Sequence, residues 1–215
     1  VIEVGMLTVG PVQENCFLVR TAGGDHAVIV DPGDEAPRLL AAIEEWDVTL
    51  DAILLTHTHF DHIGAVAPVA RATGAPVWCP ELERGVLADI DRYVPWPGFG
   101  PFENYEADHL VKGGESLELA GMTFDVVFTP GHSPGHVTYA VVDEDGPALF
   151  SGDVLFQGSI GRTDLPFGDH ARLLQSIAEL LEAYPDDAVV HPGHMGLTTL
   201  GAERASNPFL QALAR

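Results

Sequence analysis

Positive charge and cysteine are the two things this chain has least of. A single lysine, Lys112, stands among 10 basic residues against 32 acidic ones, for a net charge of −22. Such a surface repels nucleic acid and anionic membranes, so neither is an expected partner, and the excess acid serves solubility. The two cysteines, Cys16 and Cys79, lie in separate apolar runs and read as small buried hydrophobes rather than as a disulfide. No apolar run reaches the roughly 18 residues of a transmembrane helix. Residues 1–15 carry Glu3, Gly5 and Gly10 within strand-like alternation, which is not the pattern of a secretory signal. A cytoplasmic location is the expectation. With 215 residues, 46% of them hydrophobic, a single domain over 1–215 with one substantial core is expected.

What the chain does have is punctuation, 23 Gly and 16 Pro, between short apolar segments. Residues 2–9, 12–20 and 26–31 read as three antiparallel strands. Leu39, Leu40, Ile43 and Trp46 give helical spacing over 36–46. Strand 51–55, helix 63–73, strand 76–79 and helix 80–89 follow. The second half repeats the plan, with strands at 115–119, 122–129, 137–142 and 147–151, an amphipathic helix at 170–183 and a strand at 187–190. Two strand-rich halves, each trailing helices, predict an α/β (α+β) fold in which two sheets pack together with helices outside, an αββα four-layer sandwich. Residues 91–105 interleave Tyr93, Trp96, Phe99, Phe102 and Tyr105 with Pro and Gly. This segment is a candidate wall over a pocket, a plug at the core edge, or a contact for a homodimer.

Chemistry concentrates in His57-Thr58-His59-Phe60-Asp61-His62, directly after Ala52-Ile53-Leu54-Leu55. Donors alternate at 57 and 59, so on extended backbone both imidazoles project to one side. Three later sites share the grammar of apolar strand, turn and donor, ending at His132, Asp153 and His191. Strand ends are rigid mounts, which a preformed metal site requires. Five histidines and two aspartates are too many for one tetrahedral ion and suit two ions sharing a carboxylate. Zinc is the expected metal, and iron or manganese would accept the same donors.

These motifs, in this order, resemble the metallo-β-lactamase superfamily. The resemblance implies that His57, His59 and His132 hold one ion, that Asp61, His62 and His191 hold the other, and that Asp153 bridges. Gly152-Asp153 through Leu165-Pro166, and Pro192-Gly193-His194 through Pro208-Phe209-Leu210, are similar to the glyoxalase II group, closest to its short bacterial hydroxyacylglutathione hydrolase-like branch. Longer members carry a helical domain that helps grip glutathione, so another low-molecular-weight thiol is a candidate carrier here. The implied activity is hydrolysis of a small-molecule acyl thioester by a hydroxide bridging the two metals, with Asp61 and Asp153 as the catalytic ligands. A mono-iron persulfide dioxygenase of the same fold is the main rival, and a metal-binding protein without turnover is a third reading. Arg162 either meets a substrate carboxylate or pairs with Asp164 or Asp169. His136 and His194 read as outer hydrogen-bond partners of ligands or as loop packing.

Overall fold

In a computed structural model, residues 1–211 of the chain are described. Three strands form an antiparallel meander, β1 (Ile2–Val9), β2 (Glu14–Thr21) and β3 (His26–Val30). Helix α1 (Ala36–Glu45) leads to β4 (Thr49–Leu54), which pairs parallel to β3. The short α2 (Phe60–Ile63) and then α3 (Val66–Thr73) follow, before β5 (Val77–Pro80), the single turn α4 (Arg84–Leu87) and β6 (His109–Val111). Strands β1 to β6 form one six-stranded sheet in chain order.

The second sheet begins with β7 (Ser116–Leu119), β8 (Met122–Phe128), β9 (Val137–Asp143) and β10 (Gly146–Gly152), each antiparallel to the last. A hairpin of β11 (Leu155–Phe156) and β12 (Ser159–Ile160) precedes α5 (His170–Ala183), β13 (Val189–Pro192), β14 (Thr198–Thr199) and α6 (Leu200–Ser206). Strand β13 runs parallel to β10, giving the order β14-β13-β10-β9-β8-β7.

Period-two alternation divides each inner strand between two cores. Along β2, Cys16 and Leu18 pack with Leu39 and Ile43 of α1 and Val66 and Val69 of α3. Phe17 and Val19 point the other way, into the gap between sheets, where Phe124, Val126, Tyr139 and Phe150 meet them. Both faces of these strands are covered, which is why they read as unbroken apolar runs. Helix α5 buries Leu173, Ile177 and Leu180 against Leu149 and Val190 on the outer face of the second sheet. Their spacing of four and three residues makes one helical stripe, and each buried side chain contributes roughly 1.5–3 kcal/mol. Asp169 caps this helix by accepting from the Arg172 N–H at 3.0 Å. The result is the expected four layers, αββα.

Two expectations are corrected. The helix expected at 63–73 is broken at Gly64 and Ala65, so Asp61 and His62 ride a separate helical turn, α2. The helix expected at 80–89 is a 3-10 turn, Glu81–Glu83, followed by α4 alone. Strands β6, β11, β12 and β14 and helix α6 were not anticipated. Among the described residues no helix is long and apolar enough to cross a membrane.

Candidate metal centre

Four strands deliver the site. Within the second sheet, β8, β10 and β13 run in the same direction, so their carboxyl ends share one edge of the sandwich. Strand β4 of the first sheet brings its own carboxyl end to meet them, and open α/β sheets bind ligands at such ends. The chain leaves β4 into His57 and His59, β8 into His132, β10 into Asp153 and β13 into the turn at 192–194.

Two donor trios form there. Donor atoms of His57, His59 and His132 lie within 4.8 Å of one another, as do those of Asp61, His62 and His194. Asp153 stands between them: its Oδ1 is 3.3 Å from His62 Nε2, and its Oδ2 is 3.4 Å from His132 Nε2 and 3.6 Å from His194 Nε2. Asp61 Oδ2 is 3.2 Å from His194 Nε2 and 3.6 Å from His62 Nε2. Two donors each about 2.1 Å from a tetrahedral ion lie roughly 3.4 Å apart, so these separations are those of neighbouring ligands. Moreover, His57 Nε2, His62 Nε2, His132 Nε2 and Asp153 Oδ1 are buried without any hydrogen-bond partner. An unsatisfied buried polar atom costs about 1–3 kcal/mol; a cation at each trio would satisfy all four. The residues fit two metal ions.

Outer hydrogen bonds select which nitrogen faces inward. Thr56 Oγ1 donates to Asp31 Oδ2 at 2.6 Å, so towards His57 Nδ1, 3.0 Å away, it can only accept. His62 Nδ1 donates to the same Asp31 oxygen at 3.0 Å. His132 Nδ1 donates to the Arg162 carbonyl at 2.7 Å and His194 Nδ1 to the Gln13 carbonyl at 3.2 Å. Each of these four imidazoles therefore offers Nε2 to the centre. Asp31 also lies near His57 and His62 as a candidate donor group, but its oxygens are occupied by Thr56 and His62, so it orients ligands from behind. His136 has the opposite arrangement. Its Nε2 accepts from the Asp153 N–H at 3.1 Å and its Nδ1 donates to Thr129 Oγ1 at 3.1 Å, which steadies Asp153 and keeps His136 out of the donor set.

One assignment is corrected. His191, expected as a ligand, is not in either trio; His194 holds that place. His191 lies within β13 opposite Phe150, stacks on that ring at 4.8 Å and meets Phe17 edge-on at 5.4 Å. The chain reaches the site only after the Pro192-Gly193 turn. There Asn15 clamps the turn by donating its backbone N–H to the Gly193 carbonyl at 2.7 Å and its side-chain amide to the carbonyls of Pro192 and Met195. A Cβ at Gly193 would sit 2.3 Å from Asp153 Oδ1 and 2.6 Å from His62 Cε1, so glycine alone lets the turn pass this close. The signal was in the sequence: Pro130-Gly131-His132 and Pro192-Gly193-His194 are the same turn followed by the same donor.

Charge separates the trios. Burial, with the neighbouring imidazoles adding to it, holds His57 well below the usual histidine range and His59 at about 3. For His62 burial works in the same direction, but Asp153 and Asp61 outweigh it and raise the imidazole well above its usual value. His194 is raised likewise, its bond to Asp61 overcoming burial. Burial would lift Asp153 and Asp61, yet His62 holds both carboxyls low. The second trio thus attracts positive charge strongly.

The centre opens into a cavity of about 860 Å³. Its walls include Val86, Ile90, Trp96, Phe156, Phe167 and Met195. Segment 91–105 does two jobs: Tyr93 and Trp96 line the cavity, while Phe99 and Phe102 pack on Phe60 at ring distances of 4.7 and 5.9 Å. Arg162 lines the cavity too, stacked 5.4 Å from the Trp96 ring and bound by both Asp164 oxygens at 2.7 and 2.8 Å.

Known proteins resemble the chain in sequence and in fold. The profile of the Metallo-beta-lactamase superfamily matches residues 9–194. The hydroxyacylglutathione hydrolase GloC of Haemophilus influenzae is 38% identical over 98% of this chain and 99% of its own. The crystal structure of the B3 metallo-beta-lactamase BLEG-1 is 43% identical with a TM-score of 0.90, covering 97% of this chain and 99% of that one. TTHA1623, solved in a di-iron-bound form, is 43% identical with a TM-score of 0.84, covering 96% and 100%. ETHE1 from Myxococcus xanthus is 26% identical with a TM-score of 0.76, covering 96% and 83%. The match takes in both sheets and all the ligand loops: the chain is a metallo-hydrolase of the metallo-beta-lactamase superfamily, with a metal-binding His/Asp cluster of dinuclear type.

Proposed function

We propose that the chain hydrolyses acyl thioesters of a small thiol, in the manner of a hydroxyacylglutathione hydrolase. The observation that carries this reading is the Asp153 carboxylate, whose oxygens lie within 3.6 Å of donors from both trios beneath an apolar-walled cavity. Two divalent ions, when bound, supply water of lowered pKa and a Lewis acid for the acyl oxygen. The chain's own residues do the rest. Asp61, beside His194 in the second trio, presents its carboxylate at the cavity floor, where it orients a water. Trp96, Phe156 and Phe167 shed solvent from an apolar acyl chain. Neither Ser133 nor Ser151 competes as a nucleophile: the Ser133 hydroxyl donates to Glu83, and Ser151 is buried. A thiolate is a good leaving group and needs no dedicated acid. A net charge of −22 favours a small molecule over nucleic acid as partner.

The likeness to GloC supports this reading, and the Gly161-Arg162-Thr163-Asp164 segment, which also resembles the persulfide dioxygenase branch, supports that activity as the second. Purified protein would be assayed for zinc, iron and manganese, then offered S-lactoylglutathione, other acyl thioesters, a β-lactam (because of the likeness to BLEG-1) and glutathione persulfide. Two ions per chain with thioester turnover is the expected result. One iron with oxygen uptake on the persulfide, and no thioester turnover, would replace it with the oxygenase.

A further inference from the structure

We infer that Glu83 is a positioning residue for the first trio, a buried carboxylate that clamps the His57–His59 loop to the His132–His136 loop. Glu83 closes the 3-10 turn after β5 and is 3% exposed. Its Oε2 accepts from the Thr58 N–H at 2.6 Å and from the Thr58 hydroxyl at 3.0 Å; that hydroxyl also lies 3.3 Å from the Glu83 carbonyl. Its Oε1 accepts from the Gly135 N–H at 2.9 Å and from the Ser133 hydroxyl. Thr58 separates two histidines of the trio, and Ser133 follows the third.

All four partners are neutral donors, two on each loop, and a carboxylate with both oxygens accepting twice is the side chain that matches them. The fit is close, since a Cβ on Gly135 would lie 2.6 Å from Glu83 Cγ. The loops it joins leave different sheets, β4 in the first and β8 in the second. One backbone bond joins their roots, from the Val137 N–H to the Thr56 carbonyl at 2.9 Å, but no strand pairing holds Thr58 against Ser133 and Gly135, where Glu83 sits. Across that gap the three imidazole rings stand 4.5 to 4.9 Å apart, a spacing that must exist before an ion can be held by all three. A residue that only filled the core would spend its bonds on its own turn; Glu83 gives its carboxylate wholly to the two ligand loops.

Glu83→Gln tests this with almost no change of volume, because the amide NH2 must face one of the two donor pairs. Metal-free protein would be titrated with Co2+ against a competing chelator and followed by visible absorption, alongside His194→Ala to identify the step belonging to the second trio. The first-trio step is expected to weaken by about 10–100-fold, as loss of an outer partner does, with the second-trio step unchanged. No change in either step, or equal weakening of both, overturns the assignment, the latter by showing a general structural role. Should Glu83→Gln not fold, Ser133→Ala and Thr58→Val each delete one hydroxyl and leave the backbone donors. A smaller but selective loss at the first trio is then expected, and no loss in either overturns the clamp. The measurement uses no substrate, so its outcome is independent of the thioester reading.

Discussion

The two donor trios are neighbours built on the same mounts, yet they are prepared for an ion in opposite ways. The first is three imidazoles, with His57 and His59 kept neutral by burial and its two loops tied by one carboxylate. The second mixes Asp61 with His62 and His194, whose imidazoles are raised by the carboxylates around them. One is a rigid neutral cup; the other is a charged nest that holds protons until a metal displaces them. The lesson is that site geometry and site charge are separable, and that each trio leans on a different one.

Replacing the shared element should erase the distinction. Asp153→Ala is expected to lower bound metal at both trios and to cut turnover by well over the roughly 100-fold that loss of an outer partner costs; unchanged metal content and rate would show that Asp153 does not bridge. Next in size, His194→Ala should lose one ion of two, measured by elemental analysis. His191→Phe, in the slot beside Phe150 and Phe17, should keep both. If His191→Phe lost an ion instead, the placement of the second trio would be wrong.

A smaller effect follows from charge. Protonation of His62 and His194 stabilises the metal-free fold fully below the unfolded-state pKa of about 6.5. That contribution is lost as pH rises through their higher folded values. An ion entering the second trio must displace these protons, so its affinity should climb with pH through neutrality and its binding should release protons. The first trio, with His59 at about 3, should show the shallower slope. Calorimetry in buffers of different ionisation enthalpy would measure both, and equal slopes would dissolve the contrast. The smallest effect is expected at Glu14, buried 3.7 Å behind His62 with neither oxygen hydrogen-bonded. Burial pushes its carboxyl well above the usual range, so Glu14→Gln swaps one neutral group for another and should leave metal content unaltered; loss of metal would show that its charge matters.

Much of this was legible in the chain, and where it was not the cause is physical. Inner strands and α5 declare themselves through period-two and helical spacing, because burial on both faces or on one stripe dictates residue type directly. Short elements such as β6 and β14 exist only because a neighbouring strand supplies their hydrogen bonds, and a run of two or three residues carries no period. The donors of the 57–62 run, His132 and Asp153 could be named from position alone, since each directly follows an apolar strand. His191 met that rule and His194 did not, because β13 continues through Pro192 and the turn at Gly193 carries the chain onward to the site. Asp31, Glu83 and Asn15 were silent for another reason: each acts through hydrogen bonds to residues at least 25 positions away, which no local pattern encodes.

The placement of the donors has a consequence for the life of the chain. Each trio takes members from distant parts of the sequence, the first from residues 57 to 132 and the second from residues 61 to 194. A chain emerging from the ribosome folds its leading half first, but that half alone offers neither trio. The first ion must wait for His132 and the second for His194, by which point both sheets have been made except for β14. Metal uptake therefore reports that the two sheets have docked, and the bound ions favour the docked form over every half-docked one.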